Sequence, residues 1–172
     1  MKKSALLLSM LLLLAMVLSA CGTDKAEANV KKFLEIELNC PNETIEKLLE
    51  ADPEDTSMDY EKELRNLYGG FVNDELIPDL FGVKCTDFWG LHVEAYRSEA
   101  GFELKSLDIS RLNDSNYDFT ASITVTNKDG EKLDITIPGS VQVDEKGLVN
   151  FARIKNNDWY DDFSEFIGEP VR

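Results

Sequence analysis

Residues 117–143 read YDFTASITVTNKDGEKLDITIPGSVQV, and this stretch decides the fold class of the chain. Apolar and polar side chains alternate over residues 117–126, and one apolar face continues over residues 133–143. Such alternation is typical of strands with one buried face and one solvated face. The Asn-Lys-Asp-Gly segment at 127–130 has the composition of a hairpin turn. The stretch therefore predicts an antiparallel hairpin that is covered on one side.

Two further strands flank this hairpin in the sequence. Residues 102–112 alternate imperfectly, and residues 148–154 follow a second turn at 144–147. Pro138-Gly139 lies within the long strand, where these residue types predict a bend. The sequence thus predicts about four strands joined by short turns.

Upstream of Gly101, the apolar residues recur at the 3.6-residue period of a helix. Helix-capping residues and prolines mark the ends of four such segments. We predict helices over residues 24–40, from Asn42 to Pro53, from 57 or 59 to 72, and over 87–99 with Gly101 at the end. Residues 51–57 are predicted as an acidic loop. The acidic tail 156–172 predicts one more short helix, with docking side chains Trp159, Phe163, Phe166 and Ile167.

Helices followed by antiparallel hairpins predict the α+β class. The order of elements over residues 24–154 resembles the cone-shaped NTF2-like fold of the wider cystatin-like group. The resemblance implies a curved antiparallel sheet that wraps around a long helix and leaves a pocket between them. Residues 24–155 are interpreted as a single domain, and residues 156–172 as its tail.

The N-terminus has the layout of an export signal. Lys2 and Lys3 precede an apolar run over residues 5–17, and Leu18-Ser19-Ala20-Cys21 follows. This pattern resembles the signal peptide and lipobox of a bacterial lipoprotein precursor. An uncleaved transmembrane helix is the alternative, but a span needs about 20 apolar residues, and this run is shorter.

The lipoprotein resemblance implies a location and a covalent anchor. Residues 1–20 are expected to be removed, and the Cys21 thiol is expected to carry a diacylglyceryl group. Residues 21–23 would then tether the domain to the membrane. We therefore expect a lipid-anchored protein on the extracytoplasmic face of the cell membrane. Acyl chains hold a protein stably, so the domain needs no membrane-binding surface of its own.

The charge of the chain excludes one class of partner. The formal net charge is -15, and removing Lys2 and Lys3 with the signal takes it to -17. Such an acidic domain lacks the basic surface that binds nucleic acid, and anionic lipid headgroups repel it. The charge favours solubility of an exported domain, while a basic or cationic partner, such as a peptide or a metal ion, is the alternative.

Three cysteines are present, and lipidation uses Cys21. Cys40 and Cys85 remain, in a compartment where disulfides persist. An even pair in an exported domain predicts one disulfide between them. On the chain-entropy model, closing a loop of this length stabilises the fold by about 4 kcal/mol.

Catalytic and metal-binding patterns are sparse. His92 is the only histidine, and its imidazole could act as an acid/base group because its ordinary pKa lies near neutrality. The sequence places no carboxylate to orient the ring, which favours a half-buried helix residue. One histidine and two distant cysteines do not make a usual zinc site, and segment 114–118 fits a hairpin turn better than a calcium loop. We predict no cofactor and no metal.

The candidate pocket consists of Trp89, His92, Tyr96, Tyr117 and Phe119, on the assumption that the cone is open. Trp89 and Tyr96 are placed at its mouth because each combines an apolar body with a polar tip. The leading hypothesis is a non-enzymatic binding or interaction module for a small apolar ligand or an envelope protein partner. An NTF2-like enzyme using His92 as acid/base, or an accessory subunit of an envelope complex, is the alternative. A closed pocket that holds His92 beside a carboxylate would favour the enzyme, and a filled cone would favour the partner.

Overall fold

A computed structural model of the chain describes residues 25–51, 59–79, 86–155 and 158–168. Within them, four helices precede a four-stranded antiparallel sheet and a fifth follows it, which confirms the predicted α+β class. The helices are α1 (residues 25–37), α2 (Glu43–Glu50), α3 (Tyr60–Tyr68), α4 (Thr86–Arg97) and α5 (Asp158–Ile167). The strands are β1 (Gly101–Arg111), β2 (Asn116–Thr126), β3 (Lys132–Val143) and β4 (Val149–Ile154).

Several predicted features lie outside the described residues. These are the signal peptide and lipobox with Cys21, the cysteine Cys85, and residues 52–57 of the acidic loop. Among the described residues, no helix has the length and apolar character that crossing a membrane requires.

The sheet is an open meander in the order β1-β2-β3-β4. Its central pair aligns Ile123 with Ile135 and Tyr117 with Val141. The apolar side chains of β2 at alternate positions are all buried, whereas the intervening polar ones are exposed or half-buried. This pattern follows the alternation from which the sheet was predicted, because successive side chains of a strand point to opposite faces.

The β2–β3 ladder runs without a register shift through Pro138 and Gly139. The Phe119 ring lies over Gly139, and a β-carbon built there would come within 2.1 Å of Phe119 Cζ. Glycine is required at this position by close packing of a neighbouring side chain rather than by an unusual backbone angle.

Short-range signals set the starts of two helices. The Asn42 side chain accepts hydrogen bonds from the backbone N–H groups of Thr44 and Ile45, at 3.1 and 3.2 Å. The Asp59 carboxylate accepts one from the N–H of Lys62, at 3.0 Å. Side chains of this kind satisfy the free donors of a helical first turn. Both starts agree with those predicted.

The end of α3 was predicted wrongly. The helix ends at Tyr68 rather than at residue 72, because Gly69 caps it and Gly70 takes a left-handed φ of 89°. Phe71 and Val72 keep the apolar period of the helix, but they leave it to pair with β4. The backbone N–H of Val149 donates to the carbonyl of Phe71 at 2.9 Å.

The end of α4 differs from the prediction in a similar way. The helix ends at Arg97, and the left-handed residue beyond it is Glu99, with a φ of 53°. Gly101 is not the helix cap. It opens β1, where a β-carbon would come within 2.9 Å of the Cys40 carbonyl oxygen.

Helix α4 packs on the apolar face of the sheet, and side chains of α1, α4 and the sheet fill the space between the layers. The Phe88 ring of α4 lies 5.7 Å from the Phe33 ring of α1 and 6.3 Å from that of Phe119. All three are buried. The helix predicted for the tail is present as α5, which buries Trp159, Phe163 and Ile167 and leaves Phe166 half-buried.

Candidate functional site

His92 lies inside the molecule, on the face of α4 that packs toward α1 and the sheet. Its side chain is 1% exposed, and its ring centroid lies 5.2 Å from that of Phe102. Its Nε2 atom is 3.8 Å from Oε2 of Glu37, which belongs to α1. Within the described part of the chain, neither ring nitrogen has a hydrogen-bond partner.

Glu37 connects His92 to a third helix. The Tyr68 hydroxyl of α3 donates a hydrogen bond to Glu37 Oε1 at 2.6 Å. Glu37 is 5% exposed and Tyr68 is 2% exposed. Helices α1, α3 and α4 thus each contribute one polar side chain to a buried group, Glu37, Tyr68 and His92, which we call the Glu37 cluster.

Burial shifts the pKa values of Glu37 and His92 in opposite directions. It raises the pKa of Glu37 to about 7, and the Tyr68 hydrogen bond opposes the rise only in part. Burial lowers the pKa of His92 to about 4. Between these values the pair carries one proton, which resides on the carboxyl rather than on the imidazole. The cluster is therefore a neutral acid beside a neutral base.

Sequence reasoning missed Glu37, although a signal for it exists. The apolar stripe of α1 includes Val30, Phe33, Leu34 and Leu38. Glu37 falls four residues after Phe33 and three after Leu34, which is the spacing of that same stripe. An acid on a buried helix face needs a partner, so its position alone predicts a polar neighbour in the core.

The opposite face of α4 forms a cleft of about 510 Å³ with α2 and the start of α3. We call it the α4 cleft. Its aromatic side chains are Trp89, Tyr96 and Tyr60, and Arg97 stands among the lining residues. Leu48, Leu49, Ala51 and Val93 complete the lining. Tyr96 is 39% exposed here, and Trp89 is half-buried.

A second cleft, of about 940 Å³, lies at the end of the sheet where the β1–β2 and β3–β4 turns meet the start of α1. We call it the hairpin cleft. Tyr117 lines it from β2. Arg111 and Asp114, which form an ion pair at 2.6 Å, belong to its β1–β2 side.

The structure distributes the five predicted pocket residues over four places. Trp89 and Tyr96 come together in the α4 cleft, outside the helical layer rather than between helix and sheet. Tyr117 lines the hairpin cleft. Phe119 packs in the core against Phe88. His92 lies in the Glu37 cluster and lines neither cleft.

The described residues contain no group of three His, Cys, Asp or Glu side chains arranged to hold a metal ion. Residues 112–115 link β1 to β2 as a turn, in which the Asn113 side chain accepts from the Ser115 N–H at 3.1 Å. This use of Asn113 is typical of a turn.

Cys40 is a free thiol in the described structure. Burial, and then the charge of Glu46, raise the pKa of this thiol to about 12. Such a thiol is almost wholly protonated at neutral pH and is a poor nucleophile. Because Cys85 lies outside the described residues, the Cys40–Cys85 disulfide stays a prediction.

Comparison with protein-family models gave no match, and comparisons with curated proteins and with solved structures gave none either. Functional inference for this chain therefore depends on its own residues.

Proposed function

We propose that this chain is a lipid-anchored, extracytoplasmic bacterial lipoprotein that acts as a non-enzymatic binding module, and that the α4 cleft is its binding site. The anchoring is supported by the lipobox Leu18-Ser19-Ala20-Cys21 behind a short apolar run. The single observation that carries the binding role is the convergence of Trp89, Tyr96 and Tyr60 on one cleft.

The lining of the α4 cleft suggests a small ligand with an apolar body. Its volume of about 510 Å³ falls within the range of about 300–1,000 Å³ that small-molecule sites occupy. Tyrosine and tryptophan offer large apolar area at a low cost in side-chain entropy. Arg97 adds one cationic group, which favours an electron-rich or anionic substituent on the ligand.

Another specific observation supports an enzyme as the second candidate. His92 stands beside a carboxylate, with Nε2 3.8 Å from Glu37 Oε2, which brings an acid and a base together but exceeds the reach of about 2.6–3.2 Å for direct proton transfer. The side chains of His92 and Glu37 are, however, only 1% and 6% exposed. A substrate would reach them only if α4 moved away from α1, and the binding role requires no such motion.

The binding role is tested by tryptophan fluorescence of the full-length protein. Because Trp89 and Trp159 are the only tryptophans, a Trp159→Phe background assigns the emission to Trp89. The low-molecular-mass fraction of a cell-envelope extract should change this emission. Tyr96→Ala should weaken the response, whereas His92→Leu and the matched control Tyr117→Phe should leave it intact.

The same extract also tests the enzymatic alternative. Mass spectrometry before and after incubation should find no component consumed by the protein. Turnover that is lost in both His92→Leu and Glu37→Gln would replace the binding role with the enzymatic one. A Trp89 emission that no fraction changes would refute the α4 cleft as the binding site.

A further inference from the structure

The hairpin cleft is built by three separated segments that are fixed to one another. The side-chain amide of Asn29, on α1, donates a hydrogen bond to the Gly147 carbonyl at 2.8 Å. Gly147 has a left-handed φ of 74°, and a β-carbon there would come within 3.1 Å of the Ala26 β-carbon. The β3–β4 turn is thereby held closely against the first turns of the helix. The cleft is a formed feature of the fold rather than a gap between loose turns.

Tyr117, one of the residues that line this cleft, carries an unpartnered hydroxyl. Tyr117 is 0% exposed, and its Oη has no hydrogen-bond partner among the residues that the structure describes. Burial raises the pKa of the phenol, and Glu27 and Asp114 raise it further against the opposing charge of Arg111. The phenol therefore keeps its proton at neutral pH and can donate. A buried donor without an acceptor costs folding free energy, which a bound acceptor would recover.

The charged residues of the cleft are balanced in sign. Three cations, Lys25, Arg111 and Lys146, face three acids, Asp114, Asp144 and Glu145. The rest of the molecule is strongly acidic, with a formal charge of -15 for the whole chain. A wall of equal and opposite charges is complementary to a ligand that carries both signs, and it discriminates against a simple polyanion.

Two of the cations are available to a ligand. No described residue forms an ion pair with Lys25 or Lys146, whereas Arg111 is already paired with Asp114 at 2.6 Å. The Asp144 carboxylate is likewise used, since it accepts from the N–H groups of Lys146 and Leu148 at 2.8 and 2.9 Å. The free positive groups therefore lie on both sides of the cleft, one on α1 and one on the β3–β4 turn.

The position of the cleft relates it to the membrane. Lys25, one of its lining residues, follows Cys21 by four residues. Four residues of extended chain reach at most about 14 Å. If Cys21 carries the lipid, as in the proposed function, the backbone of the lining residue Lys25 lies within that distance of the anchored residue.

We propose that the hairpin cleft binds the zwitterionic phosphoethanolamine headgroup of a membrane phospholipid. The phosphate diester accepts from the Tyr117 hydroxyl and lies near Lys25 and Lys146. The ammonium group lies toward Asp114 and Glu145. This inference rests on the proposed anchoring and adds a second, independent site to it, so that one headgroup orients the domain on the membrane.

The site is tested by calorimetric titration of the detergent-solubilised full-length protein with glycerophosphoethanolamine. Glycerol phosphate, which lacks the ammonium, and ethanolamine, which lacks the phosphate, should each bind at least about tenfold more weakly. Tyr117→Phe should weaken binding of the diester by about tenfold, since it removes only one donor to a charged acceptor. Its thermal midpoint should not fall, because the hydroxyl has no partner to lose. Thr120→Val, which removes an exposed hydroxyl on the same strand outside the cleft, is the matched control and should bind as the native chain does.

The lipid source is tested in nanodiscs. Protein in phosphatidylglycerol discs should still bind added glycerophosphoethanolamine, whereas discs containing phosphatidylethanolamine should suppress that binding. If phosphatidylethanolamine in the discs does not suppress binding of glycerophosphoethanolamine, the membrane lipid is not the source of the headgroup. Absence of binding, equal binding by Tyr117→Phe, or equal affinity for glycerol phosphate would overturn the site itself. None of these readouts involves Trp89, and lipidation of Cys21 is measured separately by intact mass. Failure of the proposed function can therefore be told apart from failure of the headgroup site.

Discussion

Replacing Glu37 with glutamine should expose a pH dependence of stability that the native chain cancels. The folded pKa of Glu37 is raised from 4.5 to about 7. Its contribution to the free energy of unfolding is therefore fully present below pH 4.5 and is lost as the pH rises through 7. A shift of this size corresponds to about 3 kcal/mol.

His92 has the opposite linkage. Its folded pKa is lowered from 6.5 to about 4. The stability it provides is present above pH 6.5 and is lost as the pH falls through 4, again by about 3 kcal/mol. Between pH 4.5 and 6.5 the two slopes have similar size and opposite sign. The Glu37–His92 pair should therefore add almost no net pH dependence in that window.

Glu37→Gln removes the pH dependence of unfolding free energy that comes from Glu37, while the glutamine side chain keeps the shape of the protonated carboxyl. The glutamine carbonyl can still accept from the Tyr68 hydroxyl, which bonds Glu37 at 2.6 Å. The remaining His92 should make this variant lose up to about 1.4 kcal/mol of unfolding free energy per pH unit between pH 6.5 and 4.5, relative to the native chain. His92→Leu should show the reverse, with stability rising as the pH falls from 7 to 4.5.

The assay is urea unfolding followed by circular dichroism at half-unit steps from pH 4 to 8. The double variant Glu37→Gln, His92→Leu provides the background of all other titrating groups. Parallel profiles of the native chain and Glu37→Gln between pH 4.5 and 6.5 would refute the reasoning, since the cluster would then not hold opposed protonation states.

Three further predictions concern other parts of the chain. Intact mass of the membrane-extracted protein should show loss of residues 1–20 and gain of acyl chains, and Cys21→Ser should leave an unlipidated precursor; a mature N-terminus elsewhere contradicts the lipobox. Non-reducing peptide mapping should recover Cys40 linked to Cys85, and alkylation of both thiols in the native, unreduced protein would disprove the bridge. Gly139→Ala should lower the free energy of unfolding by about 1–3 kcal/mol, because the added β-carbon would lie 2.1 Å from Phe119 Cζ. The control is Gly130→Ala, where nothing lies within 4 Å but φ is 82°, and it should cost about 1 kcal/mol. Urea unfolding measures both.

The features that the sequence predicts well depend on neighbouring residues. The alternation over residues 117–126 identifies β2 because it reports burial on one face directly, whatever covers that face. Asn42 and Asp59 mark helix starts because their side chains bond backbone groups two or three residues away. The class of the fold follows from such local signals.

The features that the sequence predicts poorly depend on distant partners. Phe71 and Val72 keep the period of α3, yet they leave it for a backbone pairing with Val149, far along the chain. Gly101 looks like a helix cap, yet its role is to admit the Cys40 carbonyl. In both cases tertiary contact overrides a local pattern that was correctly recognised.

In the candidate site, too, the local features could be predicted from the sequence and the features that depend on distant partners could not. Helical spacing separates the residues of α4 into two groups, but it does not say which group faces the sheet. His92, Phe88 and Leu91 turn inward, and Trp89 and Tyr96 turn outward. The expectation of one pocket combined residues from both groups, because an open cone was assumed where side chains fill the interior.

The two faces of α4 also separate the competing functions experimentally. Trp89 and His92 are three residues apart, yet one lines an open cleft and the other is 1% exposed beside Glu37. A substitution in the Glu37 cluster can therefore remove acid/base chemistry without touching the cleft, and Tyr96→Ala can alter the cleft without touching the cluster. Trp89 and Tyr96 are spaced by three and four residues from His92 and are its neighbours on the helix surface, so burial rather than distance separates His92 from the cleft. Because His92 is 1% exposed and lines neither cleft, a ligand in the α4 cleft would meet the imidazole only after the surrounding side chains had moved, so binding there does not by itself engage the cluster.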